Sequence, residues 1–487
     1  LKCAHSNMLS DSQMARPVRM LIGGHLVPAT GAFSVINPSS GKAFAEAPAC
    51  SKALLNEAVG AAKAAFPQWS TLAHARRRSL MLAGADKVKE DLGRLAEVLV
   101  KEQGKPLARA RGEIMGVVNF MTRFADFEPE WEKVLSDSSK ERVVQHRTPL
   151  GVVAGITPWN FPALMVAWKM SEALMTGNTI VVKPSPYTPL CTLMLGEVLA
   201  DVFPPGVLNV ISGGDEVGQW LTEHPDVAKV SFTGSTNTGK RIQAAASGTL
   251  KHLTLELGGN DAAIVLDDAD PKAAAKGIFA QAMGNTGQVC VAVKRLYVHE
   301  SRFEAVVDHL VKLAGEAIVG DGFEKGVQYG PINNKAQYDH VSKLVEDALA
   351  QGACARAGGR PLPREGYFYP PTILTGVEEG TRIVDEEQFG PVLPVMPYRT
   401  VEEALRRANA TSYGLGGSVW STDLNRAAEV AASLECGTAW VNCHGVIGDV
   451  PFGGLKESGV GRQFGEGTLE GHTNAKVIRI PKAESKL

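Results

Sequence analysis

No run of about 18 apolar residues occurs in this 487-residue chain, so no segment reads as a transmembrane helix and no membrane partner is expected. No Cys-x-x-Cys pair occurs either. The seven cysteines (Cys3, Cys50, Cys191, Cys290, Cys354, Cys436 and Cys443) are odd in number and widely spaced. That speaks against a zinc ribbon, a thioredoxin-like motif and a disulfide scaffold; no bound metal is expected, and a reducing, cytoplasmic setting is. An excess of one charge is missing as well. Lys and Arg number 50, Asp and Glu 52, for a net charge of -2, so the electrostatic footprint of a dedicated nucleic-acid binder is absent. There is no fixed-period repeat and no low-complexity stretch. No Gly-x-Gly-x-x-Gly dinucleotide fingerprint follows a strand. The first 17 residues lack the apolar core of a signal peptide.

What is present is an ordinary globular composition, 44% hydrophobic, at a length that suggests about three domains. One amphipathic helix is predicted over about Lys52–Phe66, with Ser51 as N-cap and Pro67 as its stop. A second is predicted over about Ala73–Glu102, broken near Gly84. Residues 142–147 read as a strand. From Gly151 onward, apolar strand candidates (Val152–Ile156, Thr179–Val182, Val207–Ile211, Val230–Phe232, Ala262–Leu266) alternate with helical segments. The alternation predicts an α/β fold with a parallel sheet. A second such series fills about residues 292–442, and 475–480 alternate like a half-buried strand suited to docking onto another subunit. The final tripeptide, Ser485-Lys486-Leu487, matches a peroxisomal address, which carries meaning only in a eukaryote and is otherwise a solvated tail.

Four segments offer chemistry. Cys290 follows the turn-rich Gly284-Asn285-Thr286-Gly287 and precedes a strand, where a thiolate would be a strong nucleophile; a single cysteine is as a rule a small buried hydrophobe. Glu256 lies in an apolar stretch before Gly258-Gly259; a partly buried carboxyl has a raised pKa and suits a general base, whereas an edge-strand Glu before a turn does nothing. Asn160, in Pro158-Trp159-Asn160-Phe161-Pro162, sits at a strand end where open parallel sheets place ligands, and its amide can hold an oxyanion; it also fits a plain Pro-rich turn. Gly234 to Lys240 follows a strand and opens a helix, a phosphate-binding arrangement. It nearly completes a P-loop, but Arg241 replaces the magnesium-binding hydroxyl, which disfavours a nucleoside triphosphatase.

Taken in order, Asn160, Lys183, Gly234-Ser235, Glu256, Cys290, the stretch Glu387-Gln388-Phe389-Gly390-Pro391 and the stretch from Pro451 to Gly459 closely resemble the NAD(P)-dependent aldehyde dehydrogenase superfamily. The resemblance implies an aldehyde dehydrogenase-like fold: a Rossmann-like cofactor domain (1–127 and 149–258), an α/β catalytic domain (259–458), and a small bridging β element (128–148 with 459–487) in a homodimer or homotetramer. It implies oxidation of an aldehyde to a carboxylic acid through a thiohemiacetal and a thioester. Cys290 is the implied nucleophile, Asn160 and the Cys290 backbone amide the oxyanion donors, Glu256 the hydrolytic base and Lys169 part of a proton relay. For the cofactor it implies Trp159 backbone in the cleft, Lys183 at the adenosine ribose, Gly234 and Ser235 at the pyrophosphate, Glu387 at the nicotinamide ribose and Phe389 beside the ring.

The sequence departs from that pattern in three places. Lys183-Pro184-Ser185 is followed by Pro186, where many NAD-preferring members carry Glu; NAD is expected, with NADP left open. Asn474 stands where a relay Glu is common, and Gln463 where Glu commonly follows Gly461-Arg462. Val289 and Val291, beside the cysteine, favour an apolar carbon next to the aldehyde. His444 is a candidate for the substrate entrance or a solvated loop, and Arg295 reads as structural. Succinate-semialdehyde-type and coenzyme A-acylating dehydrogenases are the alternatives; the first lacks a convincing arginine constellation, and Glu256 counts against the second.

Overall fold

The computed structural model describes residues 18–29, 31–448 and 450–482. Cys3, the amino-terminal segment read for a signal peptide and the Ser485-Lys486-Leu487 tail lie outside the described residues.

The alternation of apolar strands and helices builds two open α/β sheets. In the first, five parallel strands run in the spatial order His252–Glu256, Val227–Thr233, Val152–Ile156, Thr179–Lys183, Leu208–Val210. Antiparallel strands flank them, Gly459–Val460 on one edge and the hairpin Met20–Ile22/His25–Val27 on the other. Val152–Ile156 and Thr179–Lys183 are buried along their whole length, as strands covered by helices on both faces must be. The chain order reverses between Val152–Ile156 and Val227–Thr233, which places a ligand crevice beyond the carboxyl ends of those two strands. The second sheet has seven strands, Asp261–Val265 interior and parallel to its neighbours, Gly416–Trp420 and the central Val293–His299.

Residues 257–260 make a short link between the two sheets: the chain leaves the first at Glu256 and enters the second at Asp261, and it returns later from Thr438–Val441 to Gly459–Val460. The carboxyl edge of one sheet therefore faces the amino edge of the other. A third, three-stranded sheet joins Glu132–Asp137, Glu141–Pro149 and Thr473–Pro481. Among the described residues, no helix is long and apolar enough to cross a membrane.

Local expectations hold in part. Ser51 caps the first helix, its side chain accepting from the Leu54 N–H. Pro67 does not stop that helix, which runs Lys52–Ser70. Trp69 is buried against Phe203, and the Ser70 and Thr71 hydroxyls donate to the Pro67 carbonyl; this packing closes the last turn and overrides the proline. The next break falls at Asp91, between His74–Glu90 and Leu92–Gln103, not at Gly84. Gly84 lies where a Cβ would come 3.0 Å from Met121 and 3.1 Å from Leu199, so its small size serves helix packing. The helix Leu107–Ala125 was not anticipated, nor were the two amino-terminal hairpins. The terminal strand forms but is not half-buried: residues 474–482 are exposed on both faces, including Val477, Ile478 and Ile480. In a single chain its alternation separates no inside from an outside.

Candidate active site

The crevice between the two sheets opens into one cleft of about 1120 Å³. It gathers Trp159, Asn160, Gly234, Ser235, Cys290, Glu387 and Phe389 from four separated stretches of sequence.

Cys290 is half-buried at the end of a rigid turn. Asn285, Thr286 and Gly287 all have positive φ, and at Gly287 a Cβ would fall 2.0 Å from the Gly390 oxygen, so only glycine fits. The Gln288 side chain ties the turn down, donating to the Asn285 carbonyl at 2.9 Å and accepting from the Asn333 N–H at 2.8 Å. Burial pushes the Cys290 thiol up to about 12, with Glu387 adding to the rise and Lys294 opposing it. Lys294 donates to the Cys290 carbonyl at 2.6 Å and pairs with Glu387 at 3.3 Å.

Asn160 ends the loop after Val152–Ile156. Its Nδ2 donates to the Gln288 carbonyl at 2.9 Å, two residues before the cysteine. A carboxamide has two N–H donors, so the second remains for a ligand oxygen beside Cys290.

Glu256, at the end of its strand, is brought close but does not line the cleft. Its carboxyl lies under Gly453, and neither oxygen has a hydrogen-bond partner. Burial raises its pKa well above the usual carboxyl value; Lys169 and Arg462 oppose that shift and Glu172 adds to it. Lys169 donates to Thr233 Oγ1 at 2.8 Å and Ser231 Oγ at 3.3 Å, and burial lowers its ammonium to about 8. Asn474 is not part of this buried group: it stands on the exposed terminal strand opposite Thr148. The carboxylate here is Glu172, which accepts from Gln463, the Phe464 N–H and Thr468, each at 2.8 Å.

The other end of the cleft suits a dinucleotide. Ser235 caps the helix Thr236–Ala246, accepting from the Thr238 N–H, and the first helical residues line the wall, an anion-binding arrangement. Glu387 accepts from the Gly259 N–H at 3.1 Å; a Cβ on Gly258 would fall 2.3 Å from its other oxygen, and one on Gly259 2.6 Å from the Cys290 oxygen. The paired glycines thus let the carboxylate and the cysteine approach the link together. Phe389, at φ 47°, holds its ring edge-on to Trp159 at 5.2 Å. Lys183 stands apart from the lining, its ammonium donating to the Pro184 carbonyl at 3.1 Å and lowered by burial to about 8, against the pull of Asp215 and Glu216.

His444 is neither solvated nor at the entrance. It is buried 3.4 Å from Asp261 and against Trp440, while its neighbours Gly445 and Val446 line the cleft. Arg295 is structural, its guanidinium donating to the carbonyls of Asn260 and Ala408. Sequence reading missed Lys105, Glu113, Trp168 and Lys294; none carries a local motif, and only the three-dimensional fold brings them to the site. Among the described residues, no group of three or more His, Cys, Asp or Glu side chains could hold a metal ion.

Residues 26–478 match the family described as "Aldehyde dehydrogenase family". The chain is 38% identical to phenylacetaldehyde dehydrogenase of Pseudomonas fluorescens, covering 98% of each chain. It is 37% identical to human retinaldehyde dehydrogenase 3, covering 92% of this chain and 89% of that one. Among solved structures, an NAD+ complex of aldehyde dehydrogenase from Bacillus cereus superposes with a TM-score of 0.93 at 36% identity, covering 96% and 97% of the two chains.

Proposed function

Because the chain belongs to the aldehyde dehydrogenase family, we propose that it oxidises an apolar aldehyde to a carboxylic acid, with NAD as hydride acceptor. One observation carries this reading: the Asn160 amide is anchored on the turn that presents Cys290, so nucleophile and oxyanion donor are fixed relative to each other. The Cys290 thiolate attacks the carbonyl carbon, and the resulting oxyanion is held by the Asn160 amide and the Cys290 backbone N–H. NAD supplies the acceptor for the hydride that leaves this carbon. The thioester left on Cys290 is hydrolysed by a water that Glu256 deprotonates, once its carboxyl has turned from Gly453 toward the cleft. Lys169 lies within the same buried group, and in its neutral amine form, which burial makes accessible by lowering it to about 8, it takes up the proton. Replacing Asn160 by alanine is expected to lower kcat about 10²–10³-fold with NAD affinity unchanged, measured by steady-state rates and cofactor binding.

For the cofactor, Ser235 and the first turn of its helix hold the pyrophosphate, and Glu387 the nicotinamide ribose, with Phe389 and Trp159 beside the ring. Lys183 serves the adenosine ribose. Asp215 and Glu216, whose field reaches Lys183, stand in for the carboxylate missing at Pro186 and favour NAD over a 2′-phosphate. The chain works as a homodimer or homotetramer; the exposed Val134, Leu135, Val477, Ile478 and Ile480 of the three-stranded sheet support a second copy covering it.

The substrate end is walled by Leu164, Met165, Trp168, Val289, Val291 and Phe452, with space left by Gly112 and Gly284. Such a wall favours an aromatic or aliphatic tail. The exposed Arg109 on the same cleft favours a second reading, a semialdehyde whose distal carboxylate meets it. NADH formation with a panel of aldehydes decides between them. We expect kcat/KM at least about tenfold higher for phenyl-substituted and medium-chain aldehydes than for succinate semialdehyde, the worth of a well-filled apolar pocket. The reverse ranking selects the second reading, and acceleration by coenzyme A selects an acylating enzyme.

A further inference from the structure

A buried ion pair outside the reacting groups holds the oxyanion donor from behind. Lys105 and Glu113 form a salt bridge with both side chains only 1% exposed. Lys105 Nζ also donates to the Asn160 backbone carbonyl at 2.9 Å, and Asn285 Nδ2 donates to the same oxygen at 3.0 Å. Glu113 Oε1 accepts from the N–H groups of Ala163 and Leu164, at 3.0 and 3.2 Å, in the first turn of the helix that Asn160 precedes. The ammonium lies 4.2 Å from the centre of the Phe161 ring. Lys105 thus fixes the peptide plane leaving Asn160, and Glu113 fixes the helix that follows it. The direction of the Asn160 side chain is set between these two holds and its bond to Gln288.

A buried pair of charges is costly to desolvate, and an apolar pair of similar volume commonly stabilises a fold as well or better. Stability alone therefore does not account for this pair. We propose that Lys105 and Glu113 are positioning residues for the Asn160 oxyanion donor: they act on the chemical step through Asn160 and not through cofactor binding. The inference rests on the assignment of Asn160 as that donor.

The test is a double-mutant cycle in the full-length protein, read as the rate of NADH formation with saturating aldehyde and as NAD affinity from tryptophan quenching. Lys105→Met is expected to lower kcat about tenfold to hundredfold with NAD affinity within about twofold, and Lys105→Arg to restore most of it. In an Asn160→Ala background the same Lys105→Met change should cost less than about threefold, because the group it positions is gone. The double variant Lys105→Met/Glu113→Gln removes both charges at once and avoids leaving one buried and unpaired; it keeps an oxygen for the Ala163 and Leu164 N–H groups. It should fold with unchanged cofactor affinity and show the same loss in kcat. Equal losses with and without Asn160, or a charge-free double variant as fast as the parent, overturn the inference. If Asn160→Ala itself leaves kcat unchanged, the oxyanion assignment fails first, and that result is separable from a failure of Lys105 alone.

Discussion

Cys290→Ala is expected to abolish aldehyde oxidation, by about 10⁴-fold or more, with NAD affinity unchanged. A size of this order follows from the chemistry, because without the sulfur no covalent intermediate forms and the hydride has no activated carbon to leave. The same sulfur carries a second, pH-dependent signature in the cofactor-free protein. Burial lifts the thiol to about 12, so at neutral pH the thiol form dominates. A raised acid constant means that the thiolate fraction, and with it alkylation by iodoacetamide, climbs about tenfold per pH unit up to that value. Cys354 and Cys443 are exposed and will alkylate under milder conditions, so the Cys290 peptide must be followed by mass spectrometry. A plateau in Cys290 labelling below about pH 9 would show that the free protein already presents a thiolate, against the expected behaviour of a thiol with its constant near 12.

Glu256→Gln is expected to separate the two halves of the reaction. Acylation needs Cys290 and Asn160, whereas hydrolysis needs a base. The variant should release close to one equivalent of NADH per active site in a fast phase and then turn over about 10²–10⁴-fold more slowly, with an acyl thioester detectable by mass spectrometry. Equal losses in the fast and slow phases would place Glu256 in the first half instead. In the parent enzyme the buried carboxyl titrates well above its ordinary range. A base works only when deprotonated, so deacylation should rise with pH through that raised value and level off above it. The Gln variant should lack this limb.

The fold was legible where helix and strand periods were clear. Four of the five parallel strands of the first sheet were placed within a few residues from their apolar runs, because strands covered on both faces carry little else; His252–Glu256, exposed at its start, was not among them. Local rules failed where packing decides. Pro67 reads as a stop until Trp69 is seen buried beyond it, and Gly84 reads as a break until Met121 and Leu199 are seen against it. The terminal strand's period was read correctly, but one chain contains nothing to bury either of its faces.

In the cleft, the residues expected there from sequence line it, except Lys169, Lys183, Glu256 and His444. Motif order found them; their distances were not legible. The supporting shell was not legible at all. Lys105, Glu113 and Lys294 act through backbone carbonyls, amides and buried carboxylates in other parts of the chain, and such contacts leave no spacing in a sequence. The departure at Asn474 read as a lost carboxylate, yet Glu172 supplies one beside Lys169 from a helix that gave no signal of it.

The four-residue link between the sheets also governs how such an enzyme can be recombined. Glu256 ends one sheet, the link's glycines touch both Glu387 and the backbone of Cys290, and the cysteine's sheet begins just beyond. Three stretches, around 256–260, 287–290 and 387–390, are therefore shaped against one another and must descend from a single parent. A chimera whose crossover falls among them would inherit intact motifs that no longer fit. The stretch 108–168 is tied to the same set, because the Asn160 amide donates to the Gln288 carbonyl and Glu113 accepts from the Ala163 N–H, so a crossover there would part the oxyanion donor from its nucleophile.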